Sequence, residues 1–180
     1  MKIVIVLASL LILLYPYKGD YSTGYTLLKK INSVEIRQYE SSIFASYTEL
    51  NGSDNSQFRI LADYIFGGNE KEEKIGMTSP VTMVQSSKKE MLFLMPSSYS
   101  LESLPKPKNK NIKIIEIGER MVAALRFGGY ANQNSIQKQK KLLIKTLDSH
   151  EINHSNHFEV LVYNSPYKLF NRRNEIIVVL

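Results

Sequence analysis

Three histidines lie close together at His150, His154 and His157. Spacings of four and three could gather metal ligands on one side of a helix. Asn153, Ser155 and Asn156 interrupt the run, however, and it follows a helical segment, so it reads as a solvated loop. The sequence has no Cys. That excludes disulfides, thiolate metal sites, a cysteine nucleophile and a lipidated N-terminal cysteine. Glu70-Lys71-Glu72-Glu73-Lys74 holds carboxylates that could do acid–base work, but acids flanked by lysines read as solvent-facing. There is no G-x-S-x-G, phosphate loop or H-E-x-x-H. Gly67-Gly68-Asn69 follows a helical pattern, where a phosphate cradle would precede one. Lys138, Lys140, Lys141 and Lys145 alternate with Leu142, Leu143 and Leu147, which describes the wet face of a helix, with anionic lipid headgroups as a second reading. A net charge of +6 and a pI near 9.3 favour anionic ligands or surfaces. No aromatic–basic strand pattern points to nucleic acid.

The elements that must carry these residues follow from periodicity. At 180 residues, with 43% hydrophobic and 22% charged, the chain is one domain with a short appendage. The appendage is residues 1–20: Lys2, an apolar run from Ile3 to Tyr15, then Pro16, Tyr17 and Lys18. A run of about 13 residues is short of the ~20 a spanning helix wants, and it resembles an export signal or membrane anchor. The expectation is a working domain from about Tyr25, exported or membrane-anchored. Within it, strands are expected at 34–39 and 43–48, a helix at 56–66, and strands at 81–85 and 91–95. Phe58, Leu61, Ala62 and Ile65 form one apolar stripe on the helix. A shift of about 78 positions repeats the pattern: strands at 112–117 and 120–127, a helix from about 132 to 147 turning Ile136, Leu143 and Leu147 inward, and strands at 158–163 and 175–180. The ungapped shift pairs Phe58 with Ile136 and Ile65 with Leu143. The body is therefore read as two β-β-α-β-β pseudo-repeats, about 31–103 and 111–180, in an α+β fold. Residues 104–111 are read as a solvated bridge, and a ligand groove is expected at the junction of the halves.

Ile75-Gly76-Met77-Thr78-Ser79-Pro80-Val81, preceded by Tyr64-Ile65-Phe66-Gly67-Gly68-Asn69, resembles the signature of the SOUL haem-binding protein family. Val34-Glu35-Ile36-Arg37-Gln38-Tyr39, Phe127-Gly128-Gly129-Tyr130 and the run from Tyr167 through Arg172-Arg173-Asn174-Glu175 supply further landmarks in order. The resemblance spans residues 25–180. It implies a duplicated α+β unit forming a distorted antiparallel barrel with two helices, similar to gyrase-inhibitor-like effector-binding domains. It implies haem or another tetrapyrrole as a non-covalent ligand, its iron ligand unassigned, in an apolar groove beside the first helix and the loop before the last strand. That nominates Phe58, Ala62, Ile65 and Phe66 as walls, and Arg59, Lys168, Arg172 and Arg173 as contacts for propionates. Met77 and Val81 are expected in the core, and the Arg172-Arg173-Asn174-Glu175 run is expected to tie the last strand by hydrogen bonds. Non-catalytic binding of haem or a similar planar amphiphile is thus the leading functional expectation. A hydrolase using the inter-repeat cleft and a ligand-free membrane-surface module are the alternatives.

Overall fold

The computed structural model describes residues 24–49, 54–86 and 88–180. The appendage lies outside them, so its reading as signal or anchor does too. Nine strands and two helices run in the order β1 (Tyr25–Ile31), β2 (Val34–Tyr39), β3 (Ser42–Glu49), α1 (Asp54–Ile65), β4 (Val81–Gln85), β5 (Lys89–Leu94), β6 (Ile112–Ile117), β7 (Arg120–Phe127), α2 (Gln133–Asp148), β8 (Phe158–Val162) and β9 (Asn174–Val179). Every expected element is present. β1 was not expected, because it is an edge strand exposed from Thr26 to Lys30 and shows no alternation of apolar and polar residues.

All strands join one curled antiparallel sheet in the order β1-β2-β7-β9-β8-β4-β5-β3-β6. Leaving β1 aside, this order is a palindrome of the two β-β-α-β-β blocks. The blocks meet at the β4·β8 ladder, where Val81 faces Val162 and Gln85 faces Phe158. They also interleave: β2 pairs with β7 and β3 with β6. At these ladders the junction of the halves is continuously hydrogen-bonded. A concave space between them opens instead where the β1–β2 turn meets the end of β7 and the segment before β9.

Alternation along each strand sends successive side chains to opposite faces. Ala123, Leu125 and Phe127 of β7 point to α2 and pack with Ile136, Leu143 and Leu147, as the helical spacing predicts. Val122 and Ala124 point the other way and join Tyr39, Leu161, Tyr163 and Ile177. A further cluster gathers Leu61, Tyr64 and Ile65 of α1 with Ala45, Met91 and Phe93.

The end of α1 explains why its closing glycines are there. Phe66 N–H donates to the Ala62 carbonyl and Gly68 N–H to the Asp63 carbonyl at 2.8 Å, with Gly67 at φ 115°. That is a Schellman ending, and its left-handed position suits glycine. Asn69, fully buried, donates to the Tyr64 and Glu73 carbonyls and accepts from Lys71 and Glu73 N–H, which fixes the following loop. The bridge at 104–111 is less solvated than expected. Leu104 and Pro105 are buried, and the Tyr64 hydroxyl, itself buried, donates to the Pro105 carbonyl. Met77 also departs from expectation: it is half exposed, while Val81 packs on the α1 cluster.

Candidate functional site

The nominated wall residues divide by depth. Ile65 is fully buried core and Ala62 is partly buried. Phe58 lies at the rim, its ring tilted against Phe93 with centroids 5.2 Å apart. Phe66, one residue past the helix, is 61% exposed, and Arg59 is exposed. From Phe66 the chain turns back. Ile75 N–H donates to the Ile65 carbonyl at 2.8 Å, and four residues later the Ser79 hydroxyl donates to the Tyr163 carbonyl at 3.3 Å. The C-terminal end of α1 and the start of the β8–β9 loop are thus joined by five residues, a span of at most about 18 Å. That loop presents Tyr167 (90% exposed), Leu169 (68%) and Phe170 (80%), with Lys168 exposed among them. Three large apolar side chains with so little cover mark a contact surface.

Arg172 and Arg173 are placed differently from the other nominated cations. Arg172 is buried, its Nη1 donates to the Ser165 and Lys168 carbonyls, and its guanidinium stacks 4.4 Å from the Tyr130 ring centre. It ties the β8–β9 loop together. Arg173 stacks over Tyr163 and donates to Glu175. Glu175 is fully buried and takes Arg37 through both oxygens, at 2.7 and 3.2 Å, together with the Tyr163 hydroxyl at 2.9 Å. Burial pushes the Glu175 carboxyl up, but Arg37 and Arg173 outweigh it and hold it below the usual carboxylate range. Burial pushes the Tyr39 phenol, which accepts from Arg37, up to about 12.

A second buried acid, Glu159, pairs with Arg120 and lies 3.1 Å from His157 Nε2. Burial again raises its carboxyl, and His157 and Arg120 bring it down to a net depressed value. The Glu159 hydrogen bond raises His157. Neither buried acid was nominated from the sequence. The available signal was a charged residue at an apolar register position in a strand, as in Glu35-x-Arg37-x-Tyr39, but the partner that gives it meaning is 138 positions away.

Two cavities adjoin this network. The larger, about 1050 Å³ and open, lies where the β1–β2 turn, the end of β7 and the segment before β9 meet, and Arg172 is in its wall. The smaller, about 210 Å³, is lined by Arg37, Arg173 and Glu175. Phe58, Arg59, Ala62, Ile65, Phe66 and Lys168 line neither cavity. His150 and His154 belong to the far end of α2, where His150 contacts the Thr146 carbonyl and His154 stands edge-on to Phe158, while His157 meets Glu159. Among the described residues, no three His, Asp or Glu side chains converge as a metal site would require. No helix among them is long and apolar enough to cross a membrane.

A curled antiparallel sheet whose two β-β-α-β-β blocks interlock, with both helices on one face, defines the class as an α+β fold. The fold is similar to the C-terminal domain of EcmrR (TM-score 0.60, 12% identity, covering 86% of this chain and 96% of that one). It is also similar to a hydrolase from Listeria innocua (TM-score 0.58, 9% identity, covering 82% and 92%). Within that class, residues 21–179 match the SOUL heme-binding protein family, and the chain belongs to it. Its relatives include heme-binding protein 2 of Homo sapiens, 30% identical over 91% of this chain and 80% of that protein. Heme-binding protein 1 of Xenopus tropicalis is 30% identical over 79% and 80%.

Proposed function

We propose that this protein binds haem or a related tetrapyrrole without covalent attachment and without turning it over, as a carrier, buffer or sensor. The observation that carries the reading is the family match over nearly the whole described chain, together with relatives that are named as heme-binding proteins. The surface offered is the exposed side of α1 (Phe58, Arg59) with Phe66 just past its end, together with the tip of the β8–β9 loop (Lys168 and its apolar neighbours). A planar macrocycle would cover these apolar groups, and Arg59 and Lys168 would meet its carboxylates. Ala62 and Ile65 would support that surface from beneath, while Arg172 and Arg173 would hold the loop and the last strand in place.

The interlocked strand order supports reading the two blocks as copies of one unit. Export or anchoring through residues 1–20 is a further part of the proposal, resting on the apolar run after Lys2. The hydrolytic alternative gains nothing from Glu175. It lines a cavity, but two arginines hold it ionised and occupy its oxygens, so it is neither a proton donor nor a free base.

Titration with hemin, followed at the Soret band, tests the reading. Saturable binding at micromolar hemin is expected. Phe66→Glu with Lys168→Glu should weaken it by about tenfold or more, a loss of about 1.4 kcal/mol. A titration that shows no saturable change would remove haem as the ligand.

A further inference from the structure

The larger cavity has a character that the haem reading does not use. Its wall brings three cations from three separate segments: Lys30 at the end of β1, Arg126 near the end of β7, and Arg172 before β9. The one carboxylate in that wall, Glu35, is engaged by the Arg37 guanidinium at 2.7 and 2.9 Å. Ser33, Glu35 and Arg126 also line the smaller cavity, so the two adjoin. Taken together, their walls hold five cations (Lys30, Arg37, Arg126, Arg172 and Arg173) against two carboxylates (Glu35 and Glu175).

The surplus is not spent internally. Glu175 sits directly across the ladder from Arg126, but its oxygens are taken by Arg37 and Arg173. Lys30 and Arg126 are both exposed and have no ion pair among the described residues. A concave site with excess charge of one sign attracts ligands of the other, and guanidinium groups match the planar oxygens of carboxylate and phosphate.

We infer that this cleft is a second binding site, taking a small polyvalent oxyanion of the diphosphate or polycarboxylate type. Lys30 and Arg126 supply the mobile contacts. Arg172, fixed by its carbonyl partners and by Tyr130, supplies a stationary positive wall. The cleft shares the β8–β9 loop with the apolar surface, since Asn171 and Arg172 follow directly on Phe170, but Lys30 and Arg126 belong to β1 and β7 and take no part in that surface.

Calorimetric titration of the full-length protein with inorganic pyrophosphate, and separately with citrate, tests the inference. One-to-one saturable binding is expected at low ionic strength for at least one of the two probes. It should weaken about tenfold in Lys30→Ser/Arg126→Ser and recover in part in Arg126→Lys. Both residues are exposed, so thermal melting of the variants reports that the fold is intact. Hemin titration of the double variant should match that of the parent. No saturable heat with either anion would overturn the inference, as would binding that the double variant leaves unchanged. A parallel fall in hemin and anion binding would overturn the separation of the two sites. Attachment to phosphatidylglycerol vesicles that depends on Lys30 and Arg126, without pyrophosphate or citrate binding, would also overturn it by assigning the charge to a membrane surface. If the parent does not take up hemin, the anion titration still stands on its own.

Discussion

Glu175 joins more of this molecule than any residue nominated from the sequence. It connects β9 to β2 through Arg37, to the β8–β9 loop through Arg173, and to Tyr163. Removing one partner of a buried, hydrogen-bonded charge pair leaves the other uncompensated, at about 3–5 kcal/mol. Glu175→Gln is therefore expected to lower unfolding stability by about 3 kcal/mol, read from urea denaturation. The pH dependence has a definite sign. The carboxyls of Glu175 and Glu159 are held below their ordinary value of 4.5, so their contribution is complete above that pH. It is lost as pH falls through the lower folded values. Parent stability should drop over that acid window, and Glu175→Gln/Glu159→Gln should be less stable throughout but flatter across it. At this scale little was legible in advance. Arg172 and Arg173 are read from the sequence both as anion contacts and, with Asn174 and Glu175, as a tie for the last strand, and the hydrogen bonds of Arg173, Asn174 and Glu175 agree with the second reading. The sequence shows their charge but not their partners. Only the fold reveals that carbonyls, a tyrosine ring and Glu175 already engage them.

Helices were the most legible elements, since their inward stripes repeat within a few residues. Ile136, Leu143 and Leu147 lie where the spacing puts them. Phe58 shares the stripe of α1 but falls at the rim, 37% exposed, with one edge of its ring against Phe93. β1 went unread for the opposite reason: hydrogen bonding to β2 makes it a strand, and almost none of it is buried. The ending of α1 permits a sharp test. A Cβ on Gly68 would sit 2.8 Å from the Asp63 carbonyl oxygen, in backbone that cannot yield as a flexible side chain would. Gly68→Ala should cost about 1–3 kcal/mol, the usual range for overpacking, with a matching fall in the melting temperature. Because Asn69 follows directly, the same change should loosen the loop that leads to Met77, visible as faster amide exchange from Lys71 to Glu73.

Over the whole molecule, the two-block pattern was legible but its interlocking was not. Periodicity reports where strands are, while pairing between sequence-distant strands depends on the assembled sheet. The same global view places His150 and His154 at the end of α2, which packs on β7 and β9, and His157 against Glu159 of β8, while the proposed haem surface belongs to α1, which packs on β3 and β5. Replacing His150, His154 and His157 together by Ala should change hemin affinity less than about tenfold, or 1.4 kcal/mol. A low-spin bis-histidine spectrum abolished by that triple change would contradict this placement. The position of β9 in the sheet has a consequence for biogenesis. It is the last strand in sequence, yet it lies fourth of nine across the sheet, between β7 and β8. Until it emerges from the ribosome, β1, β2 and β7 have no bridge to β8, β4, β5, β3 and β6. The nascent chain carries two partial sheets with open edges that invite pairing with other chains. Folding must then wait for synthesis to reach Val179, and a stop codon that removes only β9 should yield aggregate rather than a slightly weakened domain.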